Sequence, residues 1–140
     1  MTSMTSAEKQ AFLADLHVGV MSLNDPGSAP LTVPIWYDYT PGGNLWVITG
    51  SESRKGKLLS QGTRVSLVAQ TEDAPYRYVS VEGPVTEIAP TDADTLLCMA
   101  VRYLGEAQGT AYAEASPLDG QITVRIQPEH WLAVDYSKMS

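Results

Sequence analysis

Residues 45–59 have the sequence LWVITGSESRKGKLL, which joins an apolar strand directly to a short basic helix. The run from Leu45 to Thr49 is unbroken, apolar and rich in β-branched residues. Its length and composition are typical of a strand that is covered on both faces, as in a barrel or at a dimer interface. Gly50 ends this strand, and residues 53–61 predict a short helix. We therefore expect a β fold in which one strand end brings several cations together.

Short extended segments separated by turn residues surround this stretch. Residues 17–23 and 31–39 are separated by the sequence NDPGS, a strong turn signal that predicts a hairpin. Residues 76–88 predict a long strand with a bulge or bend at Gly83-Pro84. About six strands of this kind, joined mostly by short turns, predict a mainly β fold. A six-stranded antiparallel barrel is the simplest closure, because it removes exposed strand edges.

Two capping boxes predict the main helices. Thr5 with Glu8 predicts a short N-terminal helix, and Thr91 with Asp94 predicts the longest helix, which ends at Gly105. A weaker, alanine-rich helical segment follows at residues 109–115. The helices are too few to change the expectation of a mainly β fold.

Length and composition predict one domain over residues 1–140, with residues 1–7 flexible. The formal net charge of -7 argues against binding nucleic acid or anionic membranes. Neither a membrane-spanning run nor a secretory signal is evident, so we expect a cytoplasmic protein. Cys98 is the single cysteine, which excludes an internal disulfide and a thiolate zinc site, and we expect it to be buried on a helix face.

The basic residues of this acidic chain are concentrated after the apolar strand. No acidic residue lies between Glu52 and Glu72, whereas four of the nine basic residues do: Arg54, Lys55, Lys57 and Arg64. Ser51 and Ser53 lie where the strand passes into the helix, where free backbone N–H groups and the helix dipole favour an anion. The cluster predicts a phosphate site; a solvated helix face is an equal alternative.

Aromatic residues form a second candidate constellation. Trp36 lies on a predicted strand, Tyr76 and Tyr78 lie at a strand start beside a loop, and Trp131 lies on the last strand. Aromatic residues also build the cores of small barrels, so each of these residues has a structural alternative. Together with the cations, they indicate a flat, anionic, heteroaromatic ligand.

The order and spacing of five segments resemble the split β-barrels of the pyridoxamine 5'-phosphate oxidase-like family. Within it, the chain is similar to the B-type flavin/deazaflavin oxidoreductases of actinobacteria, which use coenzyme F420, with FMN-binding relatives close by. The segments are residues 12–23, VPIWY at 33–37, residues 50–59, RVSL at 64–67 and YVSVEG at 78–83. The resemblance extends from about residue 8 to residue 136.

The resemblance implies a homodimer of six-stranded split barrels, with two cofactor sites built from both subunits. It places the cofactor phosphate at Ser51, Ser53, Arg54 and Lys55. It places the ring along Val33, Pro34, Ile35 and Trp36 and beside Ile48 and Thr49. Tyr76 and Tyr78 are expected from the other subunit, and His130 and Trp131 at the ring end of the pocket.

The sequence departs from the family pattern in two places. Ser53 stands where many relatives have a second phosphate-binding arginine, for which Arg54 is a substitute, and Leu58 stands where asparagine is common. The chain also lacks the basic C-terminal segment with which true pyridoxamine-phosphate oxidases hold their substrate. Oxidation of vitamin B6 is therefore disfavoured.

The resemblance implies hydride transfer between reduced coenzyme F420 and an electron-poor small molecule such as an enone, quinone or tetrapyrrole. Lys57 and Arg64 exceed what one phosphate needs, which favours the longer anionic tail of F420 over FMN. No catalytic acid or base is assigned, although Tyr78 is a candidate proton donor. The alternatives are an FMN-dependent oxidoreductase, a non-catalytic carrier of a flavin, deazaflavin or haem, and an interaction domain without a cofactor.

Overall fold

The computed structural model describes residues 1–139, which form eight strands, four α-helices and a final 3-10 turn. The strands are β1 (Gly19–Leu23), β2 (Leu31–Ile35), β3 (Tyr37–Tyr39), β4 (Leu45–Gly50), β5 (Arg64–Gln70), β6 (Arg77–Pro90), β7 (Gln121–Ile126) and β8 (His130–Asp135). The helices are α1 (Ser6–Ala14), α2 (Arg54–Leu58), α3 (Ala93–Leu104) and α4 (Glu106–Ala115), and the 3-10 turn is Tyr136–Lys138.

All strand pairs are antiparallel, and the sheet curls back on itself in the order β2-β1-β5-β6-β7-β4-β3. Its two end strands, β2 and β3, are consecutive in the chain and separated only by Trp36. The mainly β, split-barrel-like architecture is thus as predicted, but the strand count of six is wrong. Trp36 divides the predicted strand 31–39 into β2 and β3. Strand β8 pairs with β6 and is not part of the strand order given above.

The long strand β6 connects the two halves of the sheet. Its first half pairs with β5 and β8, and its second half pairs with β7. The chain crosses tightly at Gly83, where a Cβ atom would lie 1.7 Å from the carbonyl oxygen of Gln127. The predicted irregularity lies slightly later than Gly83-Pro84, between Val85 and Glu87. Glycine is therefore required at the crossing, and the bulge follows it.

The inward faces of the strands form one hydrophobic core. Met21, Val47, Leu67 and Val79 are among its fully buried side chains. Burial alternates along β4 as well, so its inner side chains are buried while Trp46 and Ile48 are only half-buried on the outer face. The sequence predicted that both faces of this strand are covered. In the single chain one face is buried and the other is half-buried.

Helix α1 begins as predicted, since Thr5 and Glu8 form both hydrogen bonds of a capping box. Helix α3 begins one residue later than predicted. Asp92 is its N-cap and accepts a hydrogen bond from the Thr95 N–H at 2.7 Å, whereas the Thr91 hydroxyl is buried 2.9 Å from that of Thr123.

The prediction that Cys98 is buried is wrong, because this residue of α3 is exposed. Leu96, Met99 and Ala100 form the buried stripe of the helix, at the spacing of one helical face. Cys98 falls outside that stripe.

The N-terminal segment expected to be flexible contains backbone contacts with β8. The Met4 N–H donates to the carbonyl of Ala133 at 3.3 Å, and the Asp135 N–H donates to that of Thr2 at 2.7 Å. Ser3 forms a bridge with Val134. Across residues 1–139, none of the helices has the length and apolar composition required to cross a membrane.

Candidate functional site

The connection between β4 and α2 is held in shape by the Ser53 hydroxyl. As N-cap of α2, its Oγ accepts a hydrogen bond from the Gly56 N–H at 3.1 Å and donates to the carbonyl of Gly50 at 2.7 Å. It also lies 3.2 Å from the Oγ1 of Thr49, a residue that is itself buried. Ser53 and Thr49, both predicted to contact the cofactor, therefore have internal partners that fix the turn.

Three cations of the basic cluster are paired with carboxylates. Arg54 binds Asp25, in the turn between β1 and β2, through both Nε and Nη2. Lys57 lies 3.8 Å from Glu52. Arg64 lies 2.8 Å from Glu129 and 3.7 Å from Glu82, and its hydrogen bond to Glu129 raises the pKa of the guanidinium above its ordinary value.

Lys55 differs from these three residues. It is half-buried and forms no ion pair with any residue in the range 1–139. The N–H groups of Arg54 and Lys55 occupy the first turn of α2, where a helix provides no acceptor of its own. The Ser51 N–H, in contrast, donates to the carbonyl of Gly120 at 2.7 Å. The anion-binding groups of this connection are therefore the Lys55 ammonium, two helix N–H groups and the Ser51 hydroxyl.

Trp36 and Ile48 lie together on the outer side of the sheet, under the α3–α4 hairpin. The Trp36 ring stacks on Tyr103 with centroids 4.9 Å apart and an interplanar angle of 5°. Tyr112 of α4 contacts the same ring at 5.6 Å. A small cavity of about 80 Å³ remains, lined by Trp36, Ile48, Leu96, Met99, Tyr112 and Gln121.

Two polar side chains of α3 fix the helix over Trp36. The Tyr103 hydroxyl donates to the carbonyl of His17 at 2.5 Å and accepts from the Tyr37 N–H at 3.0 Å. Arg102 pairs with Asp38 at 3.3 Å and donates to the Tyr37 carbonyl at 3.0 Å. Burial raises the pKa values of both Tyr103 and Tyr37, so both phenols stay protonated at neutral pH.

The register of β2 divides the predicted ring-binding segment between two faces. Val33 pairs with Met21 and Ile35 with Gly19, on the core side of the sheet. Pro34 pairs with Val20 on the opposite, outer side. Only part of the predicted segment is therefore positioned to contact a ligand on the outer surface.

The remaining predicted residues lie on the half of the sheet formed by β1, β2, β5, β6 and β8. Tyr78 and His130 belong to its outward-facing side chains, and Tyr76, at the start of β6, is 53% exposed. Trp131 points to the other side, where it packs edge-on against Tyr39 at 5.9 Å and under the Lys9 ammonium at 5.0 Å. Within the single chain, neither His130 nor Trp131 lines the cavity at Trp36.

The structure brings Ser51, Ser53, Arg54 and Lys55 to one connection and Trp36 and Ile48 to one cavity, but places Tyr76, Tyr78 and His130 on another surface. Sequence reasoning missed Asp25, which binds Arg54, and the residues of α3 and α4 that cover Trp36. The apolar stripe of α3 was visible in the sequence, but not the surface onto which it packs.

Within residues 1–139 no cluster of metal-ligating side chains occurs.

Several solved structures share this architecture. A conserved hypothetical protein of Mycobacterium tuberculosis is 24% identical with a TM-score of 0.77, covering 99% of this chain and 89% of that one. An F420 reductase is 19% identical with a TM-score of 0.70, covering 88% and 94%. An FAD-binding protein of Mycobacterium smegmatis is 16% identical with a TM-score of 0.64, covering 94% and 97%. At these identities the similarity shows the fold.

No curated protein is significantly similar to the chain. The family model for pyridoxamine 5'-phosphate oxidase, however, matches residues 5–135, which include every strand described above. The chain therefore belongs to the pyridoxamine 5'-phosphate oxidase family of split-barrel proteins.

Proposed function

We propose that the protein is an oxidoreductase that uses coenzyme F420 to transfer a hydride to or from an electron-poor small molecule of the enone, quinone or tetrapyrrole class. The observation that carries this proposal is the unpaired Lys55 ammonium, on the helix that directly follows β4. The same strand, β4, supplies Ile48 to the aromatic cavity at Trp36. The proposed phosphate site and the proposed ring site therefore share one strand and the connection that follows it.

The residues of the β4–α2 connection fit a phosphate group. Lys55 supplies a positive charge, and the N–H groups at the start of α2 and the Ser51 hydroxyl supply donors. Charge-assisted hydrogen bonds of this kind each contribute about 1.5–3 kcal/mol. Arg54 contributes less, because Asp25 already accepts its two hydrogen bonds.

The part of the site that would hold the cofactor ring, the cavity at Trp36, is too small in a single chain. The cavity at Trp36 is about 80 Å³, whereas pockets for drug-sized ligands are about 300–1,000 Å³. We propose that a second copy of the chain completes it, forming a homodimer in which Tyr76 and Tyr78 come from the partner.

A row of small and apolar side chains supports this dimer. The pairing registers align Pro34, Val20, Val68, Ser80 and Leu132 across five adjacent strands on one outward face. Leu132 is 58% exposed. Tyr78 belongs to the same face, as its position two residues before Ser80 requires.

When bound, a reduced deazaflavin or flavin supplies the hydride. The protein's own contribution is to hold the phosphate at Lys55, to orient the ring against Trp36 and Ile48, and to exclude water with the α3–α4 hairpin. The lining of the Trp36 cavity contains no carboxylate, imidazole or ammonium group. Tyr78 is the proposed source of the proton that completes the reduction.

The choice of F420 over FMN rests on the cations beyond Lys55. Lys57 and its partner Glu52 are both exposed and 3.8 Å apart, and such surface pairs contribute only about 0–1 kcal/mol. Lys57 is therefore available to an anionic tail. Arg64 supports the choice less than the sequence indicated, since two carboxylates hold it.

A carrier that binds the same cofactor without turnover is the second candidate function. The absence of charged catalytic groups at the Trp36 cavity favours it. Three similar structures are FAD-binding proteins, and one of these also binds haem. FAD is therefore added to the cofactors to be tested.

The test begins with anaerobic titration of the protein with F420, FMN and FAD. Steady-state assays follow, in which each reduced cofactor is combined with menadione, an enone or biliverdin as the acceptor. We expect selective binding of F420 and turnover. Selective binding of FMN would move the protein to the flavin-dependent alternative. Binding without turnover of menadione, an enone or biliverdin would favour the carrier, and binding of no cofactor would refute the proposal.

A further inference from the structure

Helices α3 and α4 form an antiparallel hairpin that is tight at one end and open at the other. Near the turn, Gly109 lies against the backbone of α3, where a Cβ atom would be 2.6 Å from the Cα of Val101. At the open end the helices leave a cavity of about 390 Å³. Its lining residues are Ala93, Asp94, Leu96, Leu97, Thr110, Ala113, Glu114, Ser116 and Leu118.

The wall of this cavity combines apolar side chains with two carboxylates. Leu96, Leu97 and Leu118 are its large apolar lining residues, and Asp94 and Glu114 are its charged ones. Neither carboxylate forms an ion pair with another residue of the range 1–139. The lining includes no lysine, arginine or histidine. The cavity is therefore apolar and negatively charged.

The position of Glu114 adds to this negative potential. It lies next to the last residue of α4, and the last turn of that helix has no basic residue. The C-terminal end of a helix carries a partial negative charge that favours cations and disfavours carboxylates. Glu114 is exposed, so this unfavourable interaction amounts to about 0.3–1 kcal/mol, and a positive charge close to it would offset the interaction.

We propose that this cavity binds a small lipophilic cation, a molecule with an apolar body and one ammonium group. The apolar body contacts the three leucines, and the ammonium lies between Asp94 and Glu114. The volume falls within the range of about 300–1,000 Å³ that is usual for small-molecule sites. A phosphorylated cofactor is excluded by charge, so this site is distinct from the one at Lys55, although Leu96 lines both this cavity and that at Trp36.

The test uses three probes of equal shape: 4-phenylbutylammonium, 4-phenylbutanol and 4-phenylbutanoate. Each is titrated into the purified protein by calorimetry and by NMR of the leucine methyl groups. We expect the ammonium to bind about tenfold more tightly than the alcohol, as two partly solvated ion pairs allow, and the carboxylate not to bind. The methyl signals of Leu97 and Leu118 are expected to shift.

Two variants test separately the contribution of the two carboxylates and the contribution of the cavity volume. Asp94→Asn with Glu114→Gln removes the preference for the ammonium and leaves the alcohol affinity unchanged. The matched control, Glu72→Gln with Asp73→Asn, removes two exposed carboxylates from the β5–β6 loop and keeps the preference. Ala113→Phe fills the cavity and abolishes binding of both probes, with folding checked by circular dichroism.

The proposal is overturned by equal affinities for the ammonium and the alcohol, by no binding of any probe, or by an equal loss in the control variant. Shifts confined to residues outside the hairpin would also overturn it. None of these outcomes depends on whether the chain binds F420, so the two proposals fail independently.

Discussion

Replacing Lys55 by alanine removes the one cation of the basic cluster that has no carboxylate partner within residues 1–139. If Lys55 holds the cofactor phosphate, the variant loses one charge-assisted hydrogen bond, which contributes about 1.5–3 kcal/mol. That energy corresponds to a rise in Kd of about 10- to 150-fold, since 1.4 kcal/mol is a factor of ten. Lys55 is only half-buried, which places the expected effect in the lower half of this range.

The assay is a fluorescence titration of wild type and variant with F420 and, separately, FMN. Both cofactors carry the phosphate, so we expect Lys55→Ala to weaken both by a similar factor. Arg54→Ala should have a smaller effect, because the Arg54 guanidinium is bound to Asp25. Lys138→Ala is the matched control, since Lys138 pairs with Glu8 and its loss changes the net charge by the same amount.

An unchanged affinity in a folded Lys55→Ala variant would refute this phosphate site. A larger effect from Arg54→Ala than from Lys55→Ala would show that the Asp25 pair opens on binding and that Arg54 is the main ligand. An equal loss of affinity in Lys138→Ala would show that the effect comes from the change in net charge and not from a contact with Lys55.

Three further predictions concern stability. Gly109→Ala should lower the free energy of unfolding by about 1–3 kcal/mol, measured by denaturant unfolding, because the new Cβ atom meets the backbone of Val101. Tyr103→Phe should cost a similar amount, about 1–3 kcal/mol, because it leaves the buried Tyr37 N–H without an acceptor. Burial lowers the pKa of His17 in the folded state, so stability should fall as pH drops below about 6.5, where the unfolded chain binds a proton that the folded chain does not.

The Gly109 and His17 predictions each have a matched control. Ala111→Gly measures the difference in helix propensity between alanine and glycine at an exposed position of the same helix. This difference favours alanine, so it opposes the loss predicted for Gly109→Ala. His17→Gln should flatten the dependence of stability on pH between about 5 and 7, whereas His130→Gln, at an exposed position, should not. A Tyr103→Phe variant as stable as wild type would contradict the role given to that hydroxyl.

The local elements of this fold were predictable from the sequence because their signals are local. The capping box at Thr5, the turn after Leu23 and the alternation in β5 each depend on neighbouring residues. The division of residues 31–39 at Trp36 was not predictable, because the chain pairs with β1 before Trp36 and with β4 after it. The helical spacing of Leu96 and Met99 places Cys98 outside the buried stripe. The expectation of burial came from residue type, because cysteine is usually a buried residue.

The candidate site was predictable only in part, for the same reason. Arg54, Lys55 and Lys57 are close in sequence, so their position on the short helix after β4 was predictable. Their pairing was not, because Asp25 is far from Arg54 in the sequence and reaches it through the β1–β2 turn. The cover over Trp36 depends on how the α3–α4 hairpin packs back on the sheet, which no local pattern specifies.

The proposed function requires the cofactor ring to lie against Trp36. The most direct test is quenching of tryptophan fluorescence by F420 in variants that each retain one tryptophan. We predict strong quenching when Trp36 alone remains, in the Trp46→Phe, Trp131→Phe double variant. Trp131 packs against Tyr39 and Lys9, away from the Trp36 cavity, so the variant that retains Trp131 alone should show weaker quenching. Strong quenching of Trp131 with none of Trp36 would contradict the account.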